Sequence, residues 1–238
     1  MGFLWDSQPP PPANVFCAWD DQALYTYTFH STTIRGPQCV MIGSTKLPYG
    51  LKPLLLSDGV VTCLTPSGRL YIIPLSSHQA PLPADFPSLP SEEAGRALQM
   101  LYNIGKLTEI WCLFGILTEQ QPWEMLADTA LTALDLTTAL RIYRDALNDF
   151  DSVAKIERFA LIENIKTLCG HVASLFEEYD LAQEYFLDSP EPVAALELRR
   201  HLKQWDKALK LAGKLAPAEV TTLSKFYAQQ LESEGTFW

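Results

Sequence analysis

The spacing of apolar positions changes once along the chain. Up to about residue 78 the apolar residues come in short runs. "VFCAW" (15–19) and "ALYTYTF" (23–29) are rich in aromatic and β-branched residues, and Asp20-Asp21 between them is a hairpin signal. "KPLLL", "GVVTCL" and "GRLYII" follow, split by Ser57-Asp58-Gly59 and Pro66-Ser67-Gly68, which supply turn chemistry. The pattern predicts four or five antiparallel strands over 14–78. That is too few for a barrel or a sandwich and matches one propeller blade with a neighbouring strand. A lone blade leaves its apolar faces and edges open, so this segment is expected to belong to something larger.

Prolines bracket the strands. The run at 9–12 predicts a disordered, proline-rich N-terminus over 1–13. "QAPLPADFPSLP" (79–90) removes amide donors and fixes φ, which predicts a stiff linker. From Ser91 the period becomes 3.6, with a small polar cap and Glu92-Glu93 in the first turn. Helices are predicted at 91–104, 107–117, 122–133, 136–147, 149–158, 162–176, 179–187, 192–202, 205–214 and 217–233. Their short connections predict antiparallel hairpins. The expected architecture is therefore β then α: a blade remnant over 14–78, then a helical solenoid over 91–238 that is cut short at its C-terminal end.

Within the helical part, Trp123, Leu126, Ala127, Ala130, Ala139, Tyr143 and Ala146 share one register. This resembles the tetratricopeptide (TPR) repeat, with Ala127 in the glycine place and Ala130 in the tyrosine place. Small residues at 127 and 139 let two helices approach closely, while Trp123, Leu126 and Tyr143 fill the space between hairpins. Weaker copies put Ile110, Ala182 and Ala208 in the slot of Ala139, with Cys169-Gly170 and Phe186 in the later copy. TPR modules that grip carboxylate tails carry Lys and Asn where this chain has Glu124 and Asp128, which repel a carboxylate.

Charge and chemistry narrow the reading further. The net charge of −10 argues against nucleic acid and gives no polybasic patch for a membrane. No run reaches the length of a membrane span, so no membrane insertion is expected. Cys17, Cys39, Cys63, Cys112 and Cys169 show no CxxC and no zinc spacing, which predicts reduced thiols. His30, His78, His171 and His201 lie far apart without ligand spacing, and His171 reads as a packed histidine. No P-loop, GxSxG or GxGxxG occurs. Catalytic, metal and cofactor residues are all expected to be none. Glu177-Glu178 and Asp149–Asp151 read as solvated faces, and the basic stretch 197–210 as a charged helix surface or partner contact.

"GSTKLPYGLKPLLL" (43–56) and "PVAALELRRHLKQWDKALKLAGKLAP" (192–217) carry a closer resemblance. With the runs 34–78 and 180–217 around them, they are similar to the WD repeat protein nineteen family, the large WD40-plus-TPR core subunits of intraflagellar transport complex A. The resemblance implies N-terminal β-propellers followed by a long α-solenoid. This chain would then span the end of the second propeller and the first helical repeats. It also implies a non-catalytic scaffold for retrograde transport and cilium assembly, located at the cilium or flagellum, the basal body and the cytoplasm. The implied partners are the other complex A subunits and ciliary membrane-protein cargo adaptors. Two rivals share some features: a coatomer-type vesicle-coat subunit, which the 43–56 segment fits less well, and a helical enzyme domain, which would need a convergent polar cluster.

Overall fold

The computed structural model describes residues 1–7, 14–79, 86 and 89–233. The described residues form two antiparallel sheets followed by helices: a β-propeller remnant, then an α-helical solenoid. The first sheet is four-stranded in the order β1 (Gly2–Trp5), β2 (Val15–Trp19), β3 (Ala23–His30) and β4 (Gln38–Lys46). The second is β5 (Lys52–Ser57), β6 (Val60–Leu64) and β7 (Leu70–Pro74). Alternation sets which face each strand buries. Val15 and Cys17 of β2, and Leu24, Thr26 and Thr28 of β3, are buried, while their neighbours are half-exposed. Cys17, Leu24, Leu56, Val61, Cys63, Ile73 and Leu75 form one core shared by the two sheets.

Two strands depart from the expected set. In place of a disordered end, Gly2–Trp5 pairs with β2 from Gly2↔Trp19 to Trp5↔Phe16, and Leu4 packs on the shared core. The apolar "GFLW" is too short to read as a strand by itself, and it is held by ladder bonds to residues beyond the proline run. β4 carries no alternating apolar pattern; it is held by its pairing with β3, from Ala23↔Lys46 to His30↔Gln38. The result is a complete four-stranded blade and a three-stranded one, not one blade with a single extra strand. The proline run at 9–12 and most of 79–90 fall outside the described residues. Before that linker, a short helix α1 (Ser76–Gln79) carries His78 over Gly59, where a Cβ would stand 2.2 Å from His78 Cγ. With a φ of +71° as well, only glycine fits this turn.

The helices are α2 (Ser91–Asn103), α3 (Leu107–Cys112), α4 (Gln121–Thr132), α5 (Leu136–Arg141), α6 (Phe150–Phe159), α7 (Ile165–Leu175), α8 (Tyr179–Leu187), α9 (Val193–His201), α10 (Trp205–Leu215) and α11 (Val220–Ser233). α3 stops five residues before its predicted end. α5 continues as a π-helical segment, Ile142–Leu147, that ends at left-handed Asn148. Asp135 caps α5 by accepting from the Thr138 N–H, and Asn164 caps α7 by accepting from the Thr167 N–H.

One turn geometry recurs four times. Gly105, Leu134, Glu177 and Lys203 all have positive φ, and each stands two residues before the next helix. In each turn the following N–H bonds the carbonyl five residues back: Lys106 to Leu101, Asp135 to Ala130, Glu178 to Ala173, Gln204 to Arg199. Five residues after each left-handed residue comes a buried one: Ile110, Ala139, Ala182 and Ala208. These are the four positions predicted as equivalent, so the repeat register is a physical one.

The chain divides into two compact units, Met1–Glu157 and Arg158–Trp238. In the first, the four-stranded blade is bonded to the helices that follow. Thr28 Oγ1 donates to the Asn103 carbonyl at 2.9 Å, and the Ile34 N–H to the Thr132 carbonyl at 3.0 Å. In the second, each of α7 to α10 packs against the next helix. Ala173, Ala182, Phe186, Ala195, Leu196, Ala208, Ala212 and Leu223 make its core.

Candidate interaction surfaces

The face of the four-stranded blade that turns away from the shared core is aromatic. Trp5, Phe16 and Tyr27 stand opposite one another on β1, β2 and β3, and Met41 of β4 ends the row. Trp5 and Phe16 ring centroids lie 4.9 Å apart, and Phe16 stacks on Tyr27 at 5.2 Å. Phe29 meets Trp5 edge-on at 6.1 Å. Such pairs are worth about 0.5–1.5 kcal/mol beyond their burial. Yet Phe3 is 66% and Trp5 49% exposed. The three-stranded sheet is similarly open along β7, where Leu70, Tyr71 and Ile72 all face solvent. Between the sheets, the "LPYG" stretch turns from β4 to β5 on Gly50 (φ +82°) and projects Tyr49 fully into solvent. A cleft of about 510 Å³ lies beside it, lined by Asp21, Gln22, Ala23 and residues 44–49.

In the α4–α5 hairpin the structure brings the repeat residues together. Trp123, Leu126, Ala127, Ala130 and Ala139 are buried. Trp123 donates from Nε1 to the Leu117 carbonyl at 3.2 Å, and its ring stacks near Trp111. Arg141 lies 3.8 Å above the Trp111 ring. Tyr143 and Ala146 are only half-buried, because the π-helical turn shifts the register and sends Ile142 into the core instead. Around Tyr143 the charge is negative. Burial pushes its hydroxyl up to about 12, helped by Asp128, Asp149 and Glu124. Burial, then Glu124, raises the Asp128 carboxyl. Glu124 and Asp128 therefore make this surface acidic, as their positions predicted.

In the second unit, Gly170 admits the ring of Phe186. A Cβ there would stand 2.6 Å from Phe186 Cε1. His171 packs between Phe159 at 5.3 Å and Phe186 at 5.0 Å, and burial lowers its pKa. The packed histidine expected at 171 is what the structure has.

Over 197–210 the charged side chains Arg200, Lys203, Asp206, Lys207 and Lys210 are exposed, as expected of a charged helix surface, and Arg199 is the exception. Its side chain is 1% exposed. Nε donates to Gln183 Oε1 at 2.8 Å, and one terminal nitrogen to Gln204 Oε1 at 2.7 Å. The other donates to the Tyr179 carbonyl at 3.1 Å and to Asp180 Oδ1 at 2.5 Å. Lys207 Nζ reaches the same Asp180 oxygen at 2.7 Å. Lys207 and then Arg199 hold the Asp180 carboxyl below its usual range. One guanidinium thus ties α8, α9 and the start of α10. Arg199 occupies the turn position that Leu101, Ala130 and Ala173 fill elsewhere, a core slot. Its spacing from Ala195 and Leu196 places it on their buried face, the signal that a count of basic residues hides.

The remaining sequence candidates scatter. His30 stacks over Tyr102 and lies 3.2 Å from Asn103 Oδ1, while His201 Nδ1 lies 2.8 Å from the Glu197 carbonyl. Asp149 caps α6, accepting from the N–H groups of Asp151 and Ser152 and from the Ser152 hydroxyl, rather than standing free on a solvated face. All five cysteines are free thiols; Cys17, Cys63 and Cys169 are buried, and burial, then Cys63, pushes the Cys17 thiol up to about 12. Among the described residues, no group of three or more His, Cys, Asp or Glu is placed to hold a metal ion. Among the same residues, no helix is long and apolar enough to cross a membrane.

Comparison with known proteins fits this arrangement. A family model described as the WDR19 second beta-propeller matches residues 1–78, the segment of the two sheets. WD repeat-containing protein 19 of Mus musculus is 38% identical over 239 residues, covering 99% of this chain and 17% of the relative. The Homo sapiens protein of that name is 38% identical over 236 residues, with the same shares. WD repeat-containing protein dyf-2 of Caenorhabditis elegans is 31% identical over 228 residues, 93% of this chain and 16% of its own. The chain thus spans about a sixth of the length of these relatives, from a propeller segment into helices. On that match the chain belongs to the WD repeat-containing protein 19 family.

Proposed function

We propose that this chain is part of a non-catalytic scaffold subunit of intraflagellar transport complex A. It supports retrograde ciliary transport and cilium assembly by holding other subunits of that complex and adaptors for ciliary membrane proteins. Its place of action on this reading is the cilium or flagellum, the basal body and the cytoplasm. The observation that carries the reading is the relation over 99% of the chain to WD repeat-containing protein 19; the open blade faces and helical hairpins of this chain support it. Surfaces of this kind serve contact with other proteins: solenoids present extended faces, and large exposed apolar patches mark interfaces.

The test is affinity capture of the 238-residue chain from a ciliated cell extract, with the recovered proteins identified by mass spectrometry. Recovery of the other complex A subunits, lost on substitution of interface residues, supports the scaffold. Recovery of vesicle-coat subunits without them, or of chaperones alone, overturns it.

A further inference from the structure

We propose that β4 accepts one extended segment of a partner protein as a fifth strand along the free part of its edge, residues 38–42, seated in the groove between β4 and α2; beyond it, α1 closes the edge, with the Ser76 hydroxyl donating to the Ser44 carbonyl at 2.8 Å. β4 is the outermost strand of its sheet, and half of the N–H and C=O groups of such a strand point away from its neighbour. Among the described residues, no hydrogen bond outside the ladder engages the backbone of residues 38–43. Proteins guard such edges with lysine, proline or a bulge. Here the stretch Gln38–Thr45 has no charge and no proline. Its bulge falls at Ile42, where Thr26 pairs with Gly43 and Tyr27 with Met41, so 38–41 stays regular. Cys39, Val40 and Met41 are exposed there.

The groove determines the occupant. About 200 Å³ of space lies between the strand and the helix, lined by Val40, Met41, Ile42, Arg96, Gln99, Met100 and Asn103. A helix beside a free edge admits one extended chain and obstructs a whole second sheet, the arrangement by which strand-addition domains bind peptides. The partner segment is therefore extended and β-branched, with side chains alternating between Val40 and Met100 and the solvent. Among the described residues, Arg96 is the one charged residue lining the groove. Its pairing with Glu92 is a surface contact, with both side chains about two-thirds exposed, so it exchanges at little cost. An acidic residue on the incoming strand meets that charge. This inference does not depend on the scaffold reading.

The test uses the 238-residue chain and three acetylated, amidated octapeptides of alternating Val and Thr. One carries a single Glu, one has Lys in its place, and one is the Glu peptide N-methylated along a single edge. Fluorescence anisotropy reads affinity, and amide exchange reads the site. The Glu peptide should bind and slow exchange at residues 38–42. N-methylation should weaken binding at least about tenfold, because only main-chain bonds are lost. Lys for Glu should weaken it about three- to tenfold, a difference that Arg96→Gln abolishes. Failure of the Glu peptide to bind, equal binding of the N-methylated peptide, or protection elsewhere overturns the proposal.

Discussion

The buried Arg199 makes an asymmetric prediction. Arg199→Met removes a guanidinium that donates to Gln183, Gln204, Tyr179 and Asp180. The acid left behind is not stranded: the Asp180 side chain is 79% exposed and keeps Lys207 at 2.7 Å. Gln183 and Gln204 are partly exposed and can turn to water. Removing one partner of a buried pair is costly when it leaves a buried charge, and here it leaves none. A methionine also fills a position that is apolar in the other three turns. Arg199→Met should therefore cost no more than about 1 kcal/mol, the size of one neutral hydrogen bond. The reverse change, Asp180→Asn, leaves the buried cation with neutral acceptors only. It should destabilise more than Arg199→Met, although Asp180 is the exposed partner. In the Arg199→Met background, Asp180→Asn should cost less than it does alone, the mark of a coupled pair. Native-state amide exchange over α8–α10 is the assay, because it isolates local stability from the rest of the chain. A harmless Asp180→Asn, or an Arg199→Met loss above about 3 kcal/mol, refutes the reasoning.

Further outcomes follow from local packing and titration. Ala139→Leu places a larger side chain where the α4–α5 contact leaves no exposed surface, and should cost about 1–3 kcal/mol, read as a lower melting midpoint. Asp149→Ala should cost about 1 kcal/mol by loss of the α6 cap, while Asp149→Asn keeps most of it. Ser152 and the cap N–H groups lower the folded pKa of Asp149, so the cap's pH-linked part is present above the unfolded value near 3.9 and fades as pH falls through the lowered one; acid titration of wild type against Asp149→Asn reads this. Tyr143 runs the other way: its stabilisation is intact below the unfolded value near 10 and is lost as pH rises toward about 12, which a 295 nm titration against Tyr143→Phe detects. Lys203→Gly should raise stability by up to about 1 kcal/mol, because the left-handed backbone there (φ +54°) strains any residue with a Cβ; chemical denaturation is the measure.

The helical half was legible because its signal is periodic. Small residues at 139, 182 and 208 need close helix approach, and spacing alone identified them. The turns that set the register were hidden, since only Gly105 among Gly105, Leu134, Glu177 and Lys203 announces a left-handed residue. Main-chain bonds to the preceding helix fix the other three, and such bonds leave no side-chain trace. Tyr143 and Ala146 missed full burial for a related reason: one π-helical turn displaces the period of 3.6 on which the reading rested. Among the strands, β2, β3, β6 and β7 carry β-branched or aromatic residues and β5 a run of leucines, and all five were visible. β1 and β4 exist through pairing, which a window of neighbouring residues does not contain.

The same contrast separates what holds the molecule together from what it offers to others. The residues that patterning found first, such as Trp123, Ala139 and Phe186, are buried and serve packing. The surfaces fit for contact came from residues with weak patterns. Phe3 and Trp5 sit on a strand that only pairing reveals, and Val40 and Met41 on an edge whose lack of charge looks neutral in sequence. Core positions repeat because every repeat must close the same space. A contact surface answers to a partner outside the chain, so its spacing has no reason to repeat. On the proposed scaffold reading, the informative residues are then those that a fold-directed reading passes over. β4 is the clearest case: its pairing on one side explains its place in the blade, and on the proposed reading the uncharged, regular stretch 38–41 of its other edge answers to a partner.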